Sequence, residues 1–296
     1  MTARARRLAI AALALAACVA AVAAAAPRRP APRKPPPRRL GAPVLTARAR
    51  TTARVVPSRT YGIGRRVWVY VPPAYVRGDT CDLLVVLDGE LYLDEIALPQ
   101  VLDSLIAEHA IAPCVAAFVD DSSGAARIAE LGNSARLPRF LADELLPWLR
   151  ARWSVTSRPR RVTIAGSSAG GVAAAFAALE RPDAFGNVLS QSGAFWRGPE
   201  GANRPPYEWQ TAQWAAPPKR DVCFVLEVGA SETAAALGGA APSILEANRR
   251  LRDALQKGGY AVRYTEVAGG RHSTATWGAR LPAALVTMGR LGAGLR

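Results

Sequence analysis

From position 44 onward, short unbroken apolar runs alternate with longer stretches whose apolar residues recur at helical spacing. Residues 67–71 (VWVYV) read as a strand closed by Pro72 and Pro73, and residues 83–87 (LLVVL) as another, stopped by Asp88 and Gly89. Residues 114–119, 162–165, 188–189, 223–228 and 262–267 supply further strands. Helical spacing covers residues 98–109 and 243–256, the second strongly amphipathic. Residues 170–179 (GGVAAAFAAL) predict an Ala-rich helix, and residues 139–153 one that Pro147 interrupts or kinks. Runs apolar on both faces, separated by helices, predict an α/β domain with a mostly parallel central sheet and helices on both faces. The first strands, within 44–71, are expected at an antiparallel edge. Ligands of such sheets bind beyond the carboxyl ends of the strands, so chemistry is to be sought there.

The first 43 residues break this pattern. Arg4, Arg6 and Arg7 precede an apolar stretch at 8–17, and Ala-rich sequence continues to Ala26. That layout predicts a secretory signal over residues 1–26. A competing reading takes Leu15-Ala16-Ala17-Cys18 as a lipobox, with the signal ending before Cys18 and a lipid on its thiol. Residues 27–43 (PRRPAPRKPPPRRLGAP) are too rich in Pro and Arg to bury a core and predict a stiff, solvated linker. The catalytic domain is then expected at 44–296. The chain is expected to be exported, periplasmic or secreted, or lipid-anchored through Cys18, with envelope association through its N-terminus.

Charge adds one exclusion. The net +15 suggests a polyanion partner, but nine Arg or Lys and no carboxylate lie in the first 43 residues, leaving +6 for the rest. A mildly basic body without a recognition motif argues against nucleic acid. Cys81, Cys114 and Cys223 remain after Cys18, an odd number, so at least one is free unless it pairs between chains. Cys81 and Cys114 are placed to pair if their strands are neighbours, since export permits a disulfide. Without a CxxC or His/Cys cluster, no metal site and no cofactor are expected.

Gly166-Ser167-Ser168-Ala169-Gly170 matches G-x-S-x-G, between a strand (RVTIA) and an Ala-rich helix. A strand, a sharp turn and a helix are the setting in which a serine stands exposed as a nucleophile. Ser168 needs a base. The chain has two histidines, His109 and His272; only His272 follows the serine, in a Gly-flanked loop after the last strand. An acid should lie between them, on a loop just past a strand. Of ten carboxylates in that interval, Glu232 fits, after CFVLEV and a short turn; Glu227 is the rival, but lies inside the strand. For an oxyanion, the backbone amides of Ala169 and of Glu90, in the loop after LLVVL, are the candidates.

With these residues placed, the chain resembles the α/β-hydrolase esterase family that contains the enterochelin (enterobactin) esterases, esterase D and the mycolyltransferases, and fits the enterochelin esterase branch best. The matching stretches are VVLDGELYL, the pattern of Asp121, Arg127, Glu130, Leu131 and Asn133, FLADELLPWLRARW, TIAGSSAGG, FGNVLSQSGAFWRG, LEVGASE, ILEANRRLRDAL and GGRHSTATW. The resemblance implies an α/β-hydrolase fold with Ser168, Glu232 and His272 as triad. It also implies that Arg127 borders the substrate pocket and that Trp196 and Trp277 wall it. One departure stands in the last motif: Arg271 intervenes between Gly270 and His272, and Ser273-Thr274 replace the family's Asp-Trp. The large separate N-terminal domain of cytoplasmic enterochelin esterases has no counterpart here, so an exported single-domain form is the expected analogue.

The activity expected is hydrolysis of a small-molecule carboxylic ester through a serine acyl-enzyme, with siderophore-type esters as the substrates the resemblance implies. Two alternatives share the sequence: an acyltransferase on the same triad, and a catalytically silent hydrolase-like protein that binds ferric siderophores or an envelope partner.

Overall fold

The computed structural model describes residues 51–120 and 124–293. The expected signal at 1–26, Cys18, the linker at 27–43 and Asp121 lie outside the described residues.

The apolar runs form the strands β1 (Thr51–Val56), β2 (Arg65–Tyr70), β3 (Asp82–Val86), β4 (Cys114–Val119), β5 (Val162–Ser167), β6 (Asn187–Gln191) and β7 (Cys223–Gly229). Two short segments, β8 (Ala235–Ala236) and β9 (Ala241–Ser243), pair with each other, and β10 (Ala261–Val267) is the last strand. Eight strands make one sheet in the order β1-β2-β4-β3-β5-β6-β7-β10. The pairings β1/β2 and β2/β4 are antiparallel and the remaining five parallel. The antiparallel edge therefore includes β1 and β2, as expected.

Alternate side chains leave each strand on opposite faces, and both faces are covered. Leu83, Val85, Val115, Ala117, Ile164, Val188, Phe224 and Leu226 enter one core. Leu84, Val86, Ala116, Phe118, Ala165, Leu189 and Val225 enter the other. Each fully buried side chain of this size contributes roughly 1.5–3 kcal/mol. Helix Ala169–Glu180 is buried on every side except at Glu180; its small residues let it lie close against β5 and β6. Helix Leu98–Ala107 and the long helix Thr274–Ala293 cover the second face. The latter did not stand out in the hydrophobic pattern because Ala and Gly dilute its apolar stripe. This is the α/β-hydrolase arrangement.

The segment around Pro147 departs from an ordinary kinked helix. Arg136–Arg139 is α-helical, Phe140–Leu145 is π-helical and Leu146–Arg150 is α-helical again. Proline has no N–H for the carbonyl one turn back and crowds that carbonyl; the chain takes up the mismatch before Pro147, in the wider π turn. Although β3 and β4 are neighbours, Cys81 and Cys114 are free and buried, as is Cys223. Among the described residues, no helix is long and apolar enough to cross a membrane.

Helix Ile244–Lys257 begins with a capping box. The Glu246 amide donates to Ser243 Oγ at 3.2 Å, and the Ser243 amide donates to the Glu246 carboxylate at 2.9 Å. Ser243→Ala leaves one helix-end amide without its acceptor and is expected to cost about 1 kcal/mol. A thermal melt should show this as a Tm lower by about 2–4 °C; an unchanged Tm would mean the cap contributes nothing.

Candidate active site

The register of the parallel strands assembles the site. Ser167 on β5 lies beside Gln191 on β6, which lies beside Glu227 on β7. Gly229 on β7 lies beside Val267 on β10. The residues just past these points, Ser168, Ser192, Glu232 and His272, therefore meet at the carboxyl ends of four adjacent strands. His109, set aside on sequence order, lines a cavity at the opposite end.

Ser168 occupies a turn with φ 55° and ψ −120°, a conformation costly for any residue with a Cβ. It is accommodated because glycines stand where the turn packs closest. A Cβ on Gly166 would lie 2.4 Å from the Gly170 backbone, and one on Gly171 2.4 Å from Ser190 Oγ. The Ser168 amide donates to Gln191 O at 2.9 Å, tying the turn to β6.

His272 Nε2 is 3.0 Å from Ser168 Oγ, and its Nδ1 is 2.6 Å from Glu232 Oε2. With the proton on Nδ1, the imidazole donates to Glu232 and accepts from the Ser168 hydroxyl. Glu232 is buried, whereas His272 is accessible. Burial pushes the Glu232 carboxyl up, but hydrogen bonds from His272, Ser192 and the Gly229 amide outweigh this and hold it below its ordinary range. The Ser231 amide donates to Gly270 O at 3.0 Å, which ties the acid's loop to the histidine's loop.

Ser192 escaped the sequence reading. Its hydroxyl donates to Glu232 Oε1 at 2.5 Å and accepts from Trp277 Nε1–H at 2.9 Å. Its backbone is left-handed, φ 50°, and its amide is held by Glu227 O at 2.7 Å. The available signal was a serine one residue past a strand in the motif SQSG, at the position equivalent to Ser168 on the neighbouring strand. Glu227, the rival acid, faces away from His272. It accepts from Gln191 at 3.0 Å and from Arg280 at 3.0 Å, and so fastens helix Thr274–Ala293 to the sheet. Burial raises its pKa against the pull of Gln191 and Arg280.

The remaining candidates take distinct places. Ala169 opens the helix after β5, and Glu90 lies in the first turn of helix Gly89–Asp94 after β3; β3 and β5 are adjacent. First-turn amides have no intrahelical acceptor, which is what an oxyanion site requires. Arg127 grips both oxygens of Asp88, and Asp88 Oδ2 is the atom that a Cβ on Gly170 would meet, at 2.8 Å. The pair thus stands beside the Ser168 turn. Of the other motif residues, Glu130 pairs with buried Arg65 at 2.6 Å, Leu131 is in the core and Asn133 makes a left-handed turn.

The two tryptophans are both buried. Trp196 is buried in the core, with the Arg197 guanidinium 5.0 Å from its ring centre. Trp277 is 6 % exposed and stands edge-on to His272 at 5.0 Å. Its indole N–H is committed to Ser192, so it backs the imidazole and the acid. Among the described residues no cluster of His, Cys, Asp or Glu is arranged to hold a metal.

Residues 58–288 match the family described as "Putative esterase". An iron(III) enterobactin esterase of Dickeya dadantii is 32 % identical over 228 residues, 72 % of this chain and 49 % of that protein. The chain spans about half the length of the curated relatives it matches. The crystal structure of the enterobactin esterase from Shigella flexneri in the presence of enterobactin superposes with a TM-score of 0.70 at 27 % identity, covering 80 % of this chain and 58 % of that one. A ferulic acid esterase, 16 % identical with a TM-score of 0.64, covers 82 % of this chain and 98 % of its own, and shares the fold.

The Ser192 contacts make a prediction about Ser168. A fluorophosphonate should label Ser168, and Ser192→Ala should slow labelling roughly tenfold by removing one hydrogen bond to a buried charge. The acid limb of the labelling rate should also move to higher pH, because Glu232 loses a bond that favours its ionised form. An unchanged rate and pH profile would remove Ser192 from the relay.

Proposed function

Because the chain belongs to the Putative esterase family, we propose that it hydrolyses carboxylic esters through an acyl-enzyme on Ser168. One observation carries this reading: the unbroken chain from Glu232 through His272 to Ser168, with contacts of 2.6 and 3.0 Å.

In the proposed reaction His272 Nε2 takes the Ser168 proton as Oγ attacks the ester carbonyl. The oxyanion rests on the Ala169 and Glu90 amides. Collapse of the tetrahedral species breaks the bond to the alcohol oxygen, which leaves with the proton from His272. Water then attacks the acyl-serine, giving one proton to His272, and the acid departs as Ser168 regains its own. Glu232 holds the imidazole tautomer and balances its charge while it is protonated. The sequence needs no cofactor.

The relatives named as iron(III) enterobactin esterases support siderophore-type esters as the substrate class. Arg127, beside the nucleophile turn, is proposed to border the pocket. Export through residues 1–26, a spacer at 27–43 and a catalytic domain at 44–296 complete the proposal; the signal-like N-terminus supports it.

Hydrolysis of a short p-nitrophenyl ester by the full chain, beside Ser168→Ala, is the direct test. The variant should lose about a thousandfold or more in kcat/KM. Glu232→Gln should lose roughly a hundredfold or more in kcat at little change in KM, since the amide stabilises the wrong imidazole tautomer. Equal rates in parent and Ser168→Ala would sink the nucleophile. No rate and no fluorophosphonate labelling would favour a silent binding protein, and a transfer product in the presence of an added alcohol would favour an acyltransferase.

A further inference from the structure

A second cavity, of about 470 Å³, opens at the amino ends of the strands. That volume is within the range of small-molecule sites. Thr163, near the start of β5, lines it, whereas Ser168 follows the far end of the same strand, roughly 17 Å away at 3.3 Å per residue. The cavity is therefore separate from the triad.

Its lining has three components. Leu84, Leu102, Ile111, Leu285 and Met288 give it an apolar body. Asn187, 3 % exposed, lies at the start of β6. Its Nδ2 donates to Arg160 O at 2.8 Å and Val162 O at 3.4 Å, which orients the amide. Its Oδ1 is buried with no hydrogen-bond partner. That oxygen is shielded from the cavity, so Asn187 contributes an oriented part of the wall. The third component is charge: Arg160, Arg161 and Arg290 line the cavity against one carboxylate, Asp82. Arg160 is held by Asp221 and Arg161 by Asp82. Arg290, exposed near the end of helix Thr274–Ala293, has no ion-pair partner among the described residues.

We propose that this cavity binds a small amphipathic anion, with an apolar body among the leucines and an acidic group on Arg290. The site owes nothing to the Ser168 chemistry and stands whether or not that reading holds.

8-Anilinonaphthalene-1-sulfonate has this make-up, with fused apolar rings and a sulfonate. Titrated into the full chain, it should bind saturably with one site. Gly289 lines the cavity, and a Cβ there meets nothing within 4 Å, so Gly289→Trp should fill the space without disturbing the helix. Its affinity should fall by roughly tenfold or more. Arg290→Glu should weaken the sulfonate by about threefold to fivefold and leave the uncharged N-phenyl-1-naphthylamine unaffected. The circular-dichroism spectrum and thermal melt should be unchanged in both variants, which checks the fold. Absence of saturable binding, equal affinity in a folded Gly289→Trp, or equal weakening of both probes by Arg290→Glu would overturn the proposal. Should Gly289→Trp fail to fold, the Arg290→Glu comparison decides alone.

Discussion

A carboxylate taken out of water must be surrounded by donors or it will take up a proton. Glu232 meets that demand with three: the His272 Nδ1–H, the Ser192 hydroxyl and the Gly229 amide. Much of the site follows from that requirement. Ser192 must point at the acid, so its backbone is left-handed and its amide is anchored on β7. Trp277 must satisfy the Ser192 oxygen, so the helix Thr274–Ala293 is brought close and its ring closes the space behind His272. The imidazole is thereby turned with Nε2 toward Ser168. A hydrogen bond to an ionised group in a buried setting contributes about 1.5–3 kcal/mol, enough to outweigh the torsional cost of one left-handed serine.

The second constraint is steric. Asp88, Ser168 and Ser192 each follow a strand of the parallel sheet, and each has positive φ. Sharp turns at these points let backbone amides and side chains project over the sheet's carboxyl edge instead of running on into loops. Such turns cost of order 1–3 kcal/mol each and persist because the strands on either side are buried on both faces. The glycines at 166, 170 and 171 are part of the same bargain: any side chain there would strike the neighbouring turn, Asp88 or Ser190. Arg127 then holds Asp88, whose carboxylate lies against Gly170 beside the Ser168 turn.

The two ends of the sheet differ in kind. The carboxyl end holds a connected polar network around Glu232. The amino end holds a largely apolar cavity edged by arginines. Parallel strands with helices on both faces produce this asymmetry, since every turn into a helix falls at one edge and every return at the other.

The order of apolar runs and helical stretches carried the fold class, because double-sided burial in a parallel sheet needs unbroken hydrophobic strands and leaves that mark in the sequence. Ser168 and His272 were legible for a related reason: a nucleophile turn needs small neighbours on both sides, and a single histidine followed it. Glu232 was legible only as the best-placed carboxylate, with Glu227 five residues away. What separates them is that Glu227 lies within β7 and Glu232 in the turn beyond it, and what waits at each place: Gln191 and Arg280 for Glu227, His272 and Ser192 for Glu232. The motif SQSG marks where Ser192 sits, but not what Ser192 and Trp277 meet, since those contacts span 40 and 85 positions of chain. The cavity at the amino end arises likewise from four strands and two helices that are distant in sequence. Local sequence determined which segments are strands and where the sharp turns fall, because those depend on near neighbours and on what each face must bury. Only the tertiary structure decided which polar groups meet, because hydrogen-bond partners are chosen by register and packing.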